Sequence, residues 1–405
     1  MYTSAMPAVY VIDAVRTPIG KFRGALAKVR TDDLAAHVVA ALVTRQPALA
    51  ERIDQIVFGS TNQAGEDNRN VARMASLIAG LPYEVPGVTV NRLCGSGLEA
   101  LNDAARMIAI GEATVAIAGG VESMTRAPYS MPKPEEAFSR NPPTIYDTTL
   151  GWRYPNPKMA ARFELISMGE TAENVAQKFG IGRDEQDEFA VNSHKKAVAA
   201  WERGAFAKEI APLDVPAPKG PPVKFERDET PRPDASREAL AKLKPAFREG
   251  GTVTAGNSSP LNDGAAAVLL ASEAVVKELG VEPRLRWVAS ATAGVDPNYM
   301  GEGPIPATKK LLARTGLRAP NLDAIELNEA FAAQSIACIR GLDLDPERVN
   351  LHGGAIALGH PIGCSGARIV ATLMNVMAEN PKARVGLAAL CIGVGQGIAT
   401  LFDKS

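Results

Sequence analysis

The sequence predicts an α/β protein with parallel strand pairing and helices on the sheet faces, and three observations carry that prediction. First, residues 88–91 read as a strand, 96–110 as a helix stopped by Gly111, and 114–118 as a second strand, which together make one βαβ unit. Second, the order returns near the C-terminus: Val349-Asn-Leu, a glycine-rich loop over 353–363, Cys364-Ser-Gly366, a helix over 366–377 and a strand over 385–390. A duplicated βαβ core accounts for this echo, and so does a chance likeness between two parallel α/β units. Third, regular patterning lapses over residues 125–261 and resumes afterwards, as expected of a long excursion laid over an α/β core.

Taken in order, Ala8-Val-Tyr-Val-Ile12 reads as the first strand and Arg16-Thr-Pro-Ile-Gly20 as a loop. A helix begins at Thr31, which can cap it; two aspartates follow, and Leu34, Val38 and Leu42 recur at helical spacing. Ile56-Val-Phe-Gly59 is a short strand, and Asn70 to Ala79 an apolar helix ended by Gly80 and Pro82. Stretches 125–160 and 204–236 carry many prolines and few periodic apolar positions. Between them, Glu170 to Phe179 and Arg183 to Arg203 read as polar, exposed helices. Alternating strands and helices then run from Ala265 to Phe402.

A chain of 405 residues implies two or three lobes, and 46% hydrophobic residues are enough for a large core. The formal net charge of -1 argues against a general nucleic-acid or anionic-membrane surface. Cysteines 94, 338, 364 and 391 form neither a disulfide framework nor a zinc-finger spacing. Met1 to Ile12 has no basic region followed by a long apolar one, and no apolar run reaches membrane-spanning length. A soluble protein of a reducing compartment, the cytoplasm, is expected.

The chemistry starts at Val88-Thr-Val-Asn-Arg-Leu-Cys94-Gly-Ser-Gly97, where an apolar strand ends in a cysteine and glycines open a helix. Free backbone N–H groups and the macrodipole at a helix N-terminus favour a thiolate, the nucleophilic form. The competing reading is a small residue packed in a tight turn. Three distant stretches supply partners. Asn328, in Glu326-Leu-Asn-Glu-Ala-Phe331, stands where a strand runs into a helix, and an N-cap is the plain reading for it. His352 and His360 lie on the glycine-rich loop, which brings backbone close to a ligand more readily than it fills a core. Cys391-Ile-Gly393-Val-Gly395-Gln-Gly397 is no dinucleotide fingerprint, because its spacing differs and a strand follows it. A zinc site from His352, His360, Cys364 and Cys391 lacks paired short spacings. A thiol with a histidine base, a second cysteine carrying a second proton, and the amides of Cys94 and Gly393 holding an oxyanion suit acyl transfer between sulfurs.

From Arg16 to the C-terminus the chain resembles the thiolases, the acetyl-CoA C-acyltransferases. The motifs are Asn91-Arg-Leu-Cys94-Gly-Ser-Gly97, Ala118-Gly-Gly-Val-Glu-Ser-Met124, Ala255-Gly-Asn-Ser-Ser259, Asn328-Glu-Ala-Phe331, Gly353-Gly-Ala-Ile-Ala-Leu-Gly-His360-Pro and Cys391-Ile-Gly-Val-Gly-Gln-Gly397. The resemblance implies two similar α/β/α halves with mixed five-stranded sheets and an inserted loop domain: 1–124 with 262–284, 125–261, and 285–405. It implies that Cys94 takes the acyl group, that His360 activates Cys94, and that Cys391 is the acid/base at the substrate α-carbon or the incoming CoA thiol. Asn328 with His360 would hold a water in one oxyanion hole, the amides of Cys94 and Gly393 forming the other. His352 carries over only as structural. For CoA the matching positions are Arg232, Ser259, Met300, Ala330 and Phe331, with Met168 on the pantetheine route. Coenzyme A enters as substrate, no cofactor is held permanently, and a homodimer or homotetramer is implied.

Departures from the family pattern bear on subtype. Ser167-Met-Gly169 stands where acetoacetyl-forming members usually carry His-Met-Gly, and Pro260 and Cys364 replace a common glycine and alanine. Gln63 to Asn70 and Thr148 to Arg153 resemble β-ketoadipyl-CoA and related degradative thiolases. The expectation is CoA-dependent thiolysis of 3-oxoacyl-CoA by a ping-pong route. The alternatives are Claisen condensation of two acetyl-CoA and, more remotely, a non-catalytic acyl-CoA carrier.

Overall fold

The computed structural model describes residues 7–138, 140–217 and 219–404; Met1 to Met6, part of the stretch read for a leader, lie outside them. Nine strands order one mixed sheet: β1 Val9–Arg16, β2 Gln55–Gly59, β3 Gly87–Val90, β4 Val115–Ser123, β5 Asn262–Ser272, β6 Leu285–Gly294, β7 Ala324–Leu327, β8 Val385–Ile392 and β9 Gln396–Asp403. Across the sheet they run β7-β8-β9-β6-β1-β5-β4-β2-β3, with the two-residue strand Gly20–Lys21 on β5. The principal helices are α1 Thr31–Arg45, α2 Val71–Ile78, α3 Ser96–Ile110, α4 Met168–Phe179, α5 Arg183–Glu202, α6 Pro304–Thr315, α7 Ala332–Leu342 and α8 Ile362–Glu379.

The sheet repeats itself. In the first half the order is β3-β2-β4-β5-β1; in the second, an isolated bridge at Val349 to Ile325 takes the place of β3, followed by β7-β8-β9-β6. The pairings correspond too: β2 with β3, β2 with β4 and β7 with β8 are parallel, the rest antiparallel. The echo is therefore a repeat of topology. The halves meet edge to edge where Val9, Tyr10 and Val11 pair with Trp287, Arg286 and Leu285, a junction the sequence reading did not contain.

Strand alternation sets the layers. Along β5, Ala266, Val268 and Leu270 point into a cluster shared with α3 and α8, whereas Ala265, Ala267 and Leu269 face α1 and α2. Along β8, Ala388, Leu390 and Ile392 join the α3/α8 cluster and Leu387 and Ala389 face α6 and α7. α3 and α8 thus form a central layer between the halves. From Ile362 to Met377 every residue of α8 is buried, which its nearly continuous apolar sequence allows.

The excursion is anchored by charge. Fully buried Arg16, at the end of β1, donates to Glu209 at 2.6 Å and to Asp228 at 2.7 Å. Removing the arginine alone would strand two buried carboxylates. Two expectations change here. α4 and α5 are not exposed helices: Val175, Ala190, Val191 and Ala197 are buried against the second half. Thr31 is inside α1 with Arg30 at the cap position, and no side chain caps that helix.

Candidate active site

Cys94 lies in the turn between β3 and α3. Asn91 Oδ1 accepts from the Leu93 amide (2.9 Å), the Ser96 hydroxyl donates to Leu93 O (2.7 Å), and Gly95 N–H donates to Arg92 O (3.0 Å). Leu93 takes a left-handed φ of 47° to make this turn, a strain that surrounding bonds hold in place. His360 precedes α8 in the other half. Its amide donates to Asn262 Oδ1 at 2.9 Å, and Gly359 before it has φ 105°, where a Cβ would stand 2.6 Å from the Asn262 amide group. Only glycine fits.

The first turns of α3 and α8 touch backbone to backbone. A Cβ on Gly97 would lie 2.7 Å from Ala367 N, and one on Gly366 would lie 2.1 Å from Leu98 N. This contact brings the Cys94 turn and the His360 loop, some 260 residues apart in sequence, to one place. Asn328 follows β7, fully buried, its amide nitrogen 3.4 Å from Nε2 and 3.5 Å from Nδ1 of His360. It is not an N-cap, because α7 begins at Ala332 behind Phe331. Its Oδ1 is a buried acceptor without a hydrogen-bond partner among the described residues. Cys391 stands near the end of β8, fully buried.

Electrostatics corrects the expectation of a thiolate at rest. The amides of Gly393 and of Cys94 itself do point at the Cys94 sulfur and favour its charged form. Burial outweighs them, and with the nearby Glu122 carboxylate it pushes the thiol up to about 11, although the residue keeps partial exposure. Burial, with Cys94 and Cys338 as neighbours, raises Cys391 well above the ordinary thiol value. Burial, with Arg368 adding to it, lowers His360 to about 4. At neutral pH the three groups are a thiol, a thiol and a neutral imidazole.

Around Cys391, Met168, Met300, Ala330 and Phe331 form one apolar cluster with Ala172 and Val253. Ser259 joins it through its amide and hydroxyl, both 3.0 Å from Ala330 O. Arg232 does not: it is exposed, and its amide donates to His194 Nδ1 at 3.2 Å. His352 is also elsewhere, buried 3.1 Å from Glu379 and edge-on to Phe206. Cys364 is fully buried inside α8. Among the described residues no group of three or more His, Cys, Asp or Glu is arranged to hold a metal. Three neighbours escaped the sequence reading. Ser365 Oγ is 2.6 Å from His360 Nδ1, Asn262 holds the His360 amide, and Phe247 meets Phe331 edge-on at 6.2 Å. Ser365, five residues after His360 in the same motif, was within reach of spacing; Phe247 and Asn262 carried no local signal.

Known proteins resemble the chain over nearly its whole length. The thiolase N-terminal domain model matches residues 9–274 and the thiolase C-terminal domain model residues 281–404. A β-ketoadipyl-CoA thiolase of Acinetobacter baylyi is 53% identical over 402 residues, covering 98% of this chain and 100% of that protein. A 3-oxoadipyl-CoA/3-oxo-5,6-dehydrosuberyl-CoA thiolase of Escherichia coli is 51% identical with the same coverage. Among solved structures, the Bacillus anthracis acetyl-CoA acetyltransferase superposes with a TM-score of 0.93 at 41% identity, all of both chains covered. By fold, motifs and both domain models, the chain belongs to the thiolase family, whose members are acyltransferases acting on CoA thioesters.

Proposed function

We propose that this thiolase works in the degradative direction on a carboxylated 3-oxoacyl-CoA, of which 3-oxoadipyl-CoA is the leading candidate, and that Cys94 is its acyl acceptor. The carrying observation is the Cys94 sulfur facing the Gly393 amide, with Cys391 as its neighbour. In the proposed cycle His360 takes the Cys94 proton as sulfur attacks the 3-keto carbon. The amides of Cys94 and Gly393 stabilise one developing oxyanion, and Asn328 with His360 the other. The C2–C3 bond breaks, its electron pair becomes the acetyl-CoA carbanion, and the Cys391 thiol protonates C2. Cys391 then regains a proton from the incoming CoA thiol, whose sulfur attacks the acyl-enzyme; the Cys94–acyl bond breaks, Cys94 takes its proton back from His360, and the shortened acyl-CoA leaves. Met168, Ser259, Met300, Ala330 and Phe331 would line the pantetheine route, and Arg232, outside that cluster, would meet CoA at its charged end. A CoA thioester is the substrate of the first half-reaction and free CoA that of the second, and no resident cofactor is required.

Two observations support the carboxylated substrate. The first is the degree of identity to the two relatives named above. The second is Arg153. Its guanidinium donates to Thr148 O at 3.1 Å and Asn62 O at 3.4 Å, behind the Thr61–Asn62 segment that bonds Leu93 O. Both of these partners are backbone carbonyls. A cation so placed has N–H groups left for a distal carboxylate.

We also propose a homodimer that pairs again into a tetramer, in the cytoplasm. β3 ends the sheet with half-exposed Val88 and Val90, beside exposed Met74, Leu77, Ile78 and Tyr83, an edge that a second copy would cover. Tyr129, Met131, Phe138 and Ile145 are further exposed apolar residues, on the excursion. No helix among the described residues is long and apolar enough to cross a membrane. As units we propose 1–124 with 262–284, the loop domain 125–261, and 285–405.

Steady-state thiolysis over a panel of 3-oxoacyl-CoAs tests the substrate. The expected result is the highest kcat/KM on 3-oxoadipyl-CoA, with Arg153→Met losing that preference while acetoacetyl-CoA is spared. Preference for acetoacetyl-CoA in the native enzyme would favour the biosynthetic reading.

A further inference from the structure

We propose that Ser365 is a positioning residue that holds His360 as its Nδ1–H tautomer and so keeps Nε2 open as the proton acceptor. This inference rests on the thiolase reading of His360 above and adds a residue to which that reading gives no role.

A neutral imidazole has one donor nitrogen and one acceptor nitrogen, and its partners decide which is which. His360 is buried and held neutral, so the choice is real at working pH. Two groups approach the ring. The Ser365 hydroxyl lies 2.6 Å from Nδ1, a short, well-formed contact. The Asn328 amide nitrogen lies almost equally far from both ring nitrogens, at 3.5 and 3.4 Å, and so marks neither of them.

Ser365 carries a single hydroxyl proton, and its Oγ is also 2.9 Å from the Pro361 carbonyl, in donating geometry. With that proton on the carbonyl, Oγ offers lone pairs to Nδ1–H, and every donor has an acceptor. In the reverse arrangement Ser365 donates to Nδ1 and the ring proton moves to Nε2. The hydroxyl would then give up its 2.9 Å hydrogen bond to the Pro361 carbonyl. The first arrangement is the consistent one. It also leaves Nε2 as a lone pair beside an amide donor, as needed of a base that takes a thiol proton and then shares that proton with an oxyanion.

The placement of Ser365 is itself fixed. It is the fourth residue of α8, one step before Gly366, whose missing Cβ lets α8 press on α3. The hydroxyl is thus tied to the same backbone contact that joins the Cys94 turn to the His360 loop. From the other side, Asn262 holds the His360 amide and donates its own NH2 to Gly20 O at 3.0 Å. Asn262 thus fixes the His360 backbone and Ser365 meets its ring.

The test uses full-length enzyme with 15N-labelled histidine. The chain has four histidines, and the His360→Gln protein assigns the resonance. The native enzyme at pH 7 should show His360 protonated at Nδ1 and bare at Nε2. Ser365→Ala should become a mixture of tautomers, lose roughly 10- to 100-fold in kcat with KM for the acyl-CoA little changed, and Ser365→Thr should recover most of both. A native His360 protonated at Nε2 would overturn the proposal, as would a Ser365→Ala enzyme with an unaltered tautomer and rate. If Ser365→Ala fails to fold, the native spectrum and Ser365→Thr decide it. A native enzyme inert in thiolysis would instead remove the functional reading on which the proposal rests.

Discussion

Cys94 and Cys364 each stand at the start of a central-layer helix, α3 for one and α8 for the other, one in each repeated half, and their fates differ. Cys94 sits two residues before α3, in a turn with one left-handed residue, and two amides point at its sulfur. Cys364 is the third residue inside α8, fully buried, and burial pushes its thiol up to about 12 although Arg368 and Arg16 pull the other way. A helix N-terminus is therefore not enough to make a cysteine reactive. The difference lies in the turn that carries Cys94 out of the helix and toward Gly393 of the other half.

The strongest way to break this comparison is to remove each sulfur in turn. Cys94→Ala should lower thiolysis by about 10^4-fold or more, as for other covalent nucleophiles, while Cys364→Ala should keep near-native kcat and lose about 1 kcal/mol of stability in denaturant melts. Comparable losses from the two variants would erase the distinction. Next in size is the contact that brings the sites together. Gly366→Ala drives a Cβ into the backbone of α3 and should destabilise by about 1–3 kcal/mol, with a loss of activity at temperatures where the enzyme is still folded. Unchanged melting and activity would mean that the α3–α8 contact does not set the site.

A finer probe is alkylation. Because burial raises the Cys94 thiol to about 11, its reaction with iodoacetamide in the absence of substrate should climb with pH toward that value. It should remain faster than that of Cys364 throughout, as read by peptide mass spectrometry. A plateau below pH 8 would instead indicate a preformed thiolate–imidazolium pair. The smallest effect concerns stability. Burial lowers His360 from the ordinary 6.5 to about 4, His194 likewise, and His352 in the same direction. These histidines are neutral when folded and take up protons on unfolding, so stability should hold above pH 6.5 and fall as pH drops toward 4. A Tm independent of pH across that window would contradict the burial assigned to them.

Much of this was legible before any coordinates. The strands around Val88 and Ala265 announced themselves by apolar runs, and the glycine-rich loops by composition that no core would need. The repeat was legible because each half runs in the order strand, cysteine, glycine, helix, strand. Three things were not. Charge at Cys94 depends on a balance of burial against two amides, one of them from 299 residues further along, and local pattern reports only the helix N-terminus. The polarity of α4 and α5 hid a buried side, because Gln186, Asp187 and His194 are buried together with the apolar positions. Arg232 was placed by motif position alone, and its exposed site beside His194 depends on the path of a proline-rich segment that has no period to read.

The most direct measurement is the site of the covalent intermediate. Enzyme mixed with acetyl-CoA or a 3-oxoacyl-CoA, quenched in acid and digested, should carry the acyl group on the peptide containing Cys94, and Cys94→Ala should carry none. Acylation of Cys391 or Cys364, or full turnover with no acyl-enzyme at any cysteine, would contradict the account.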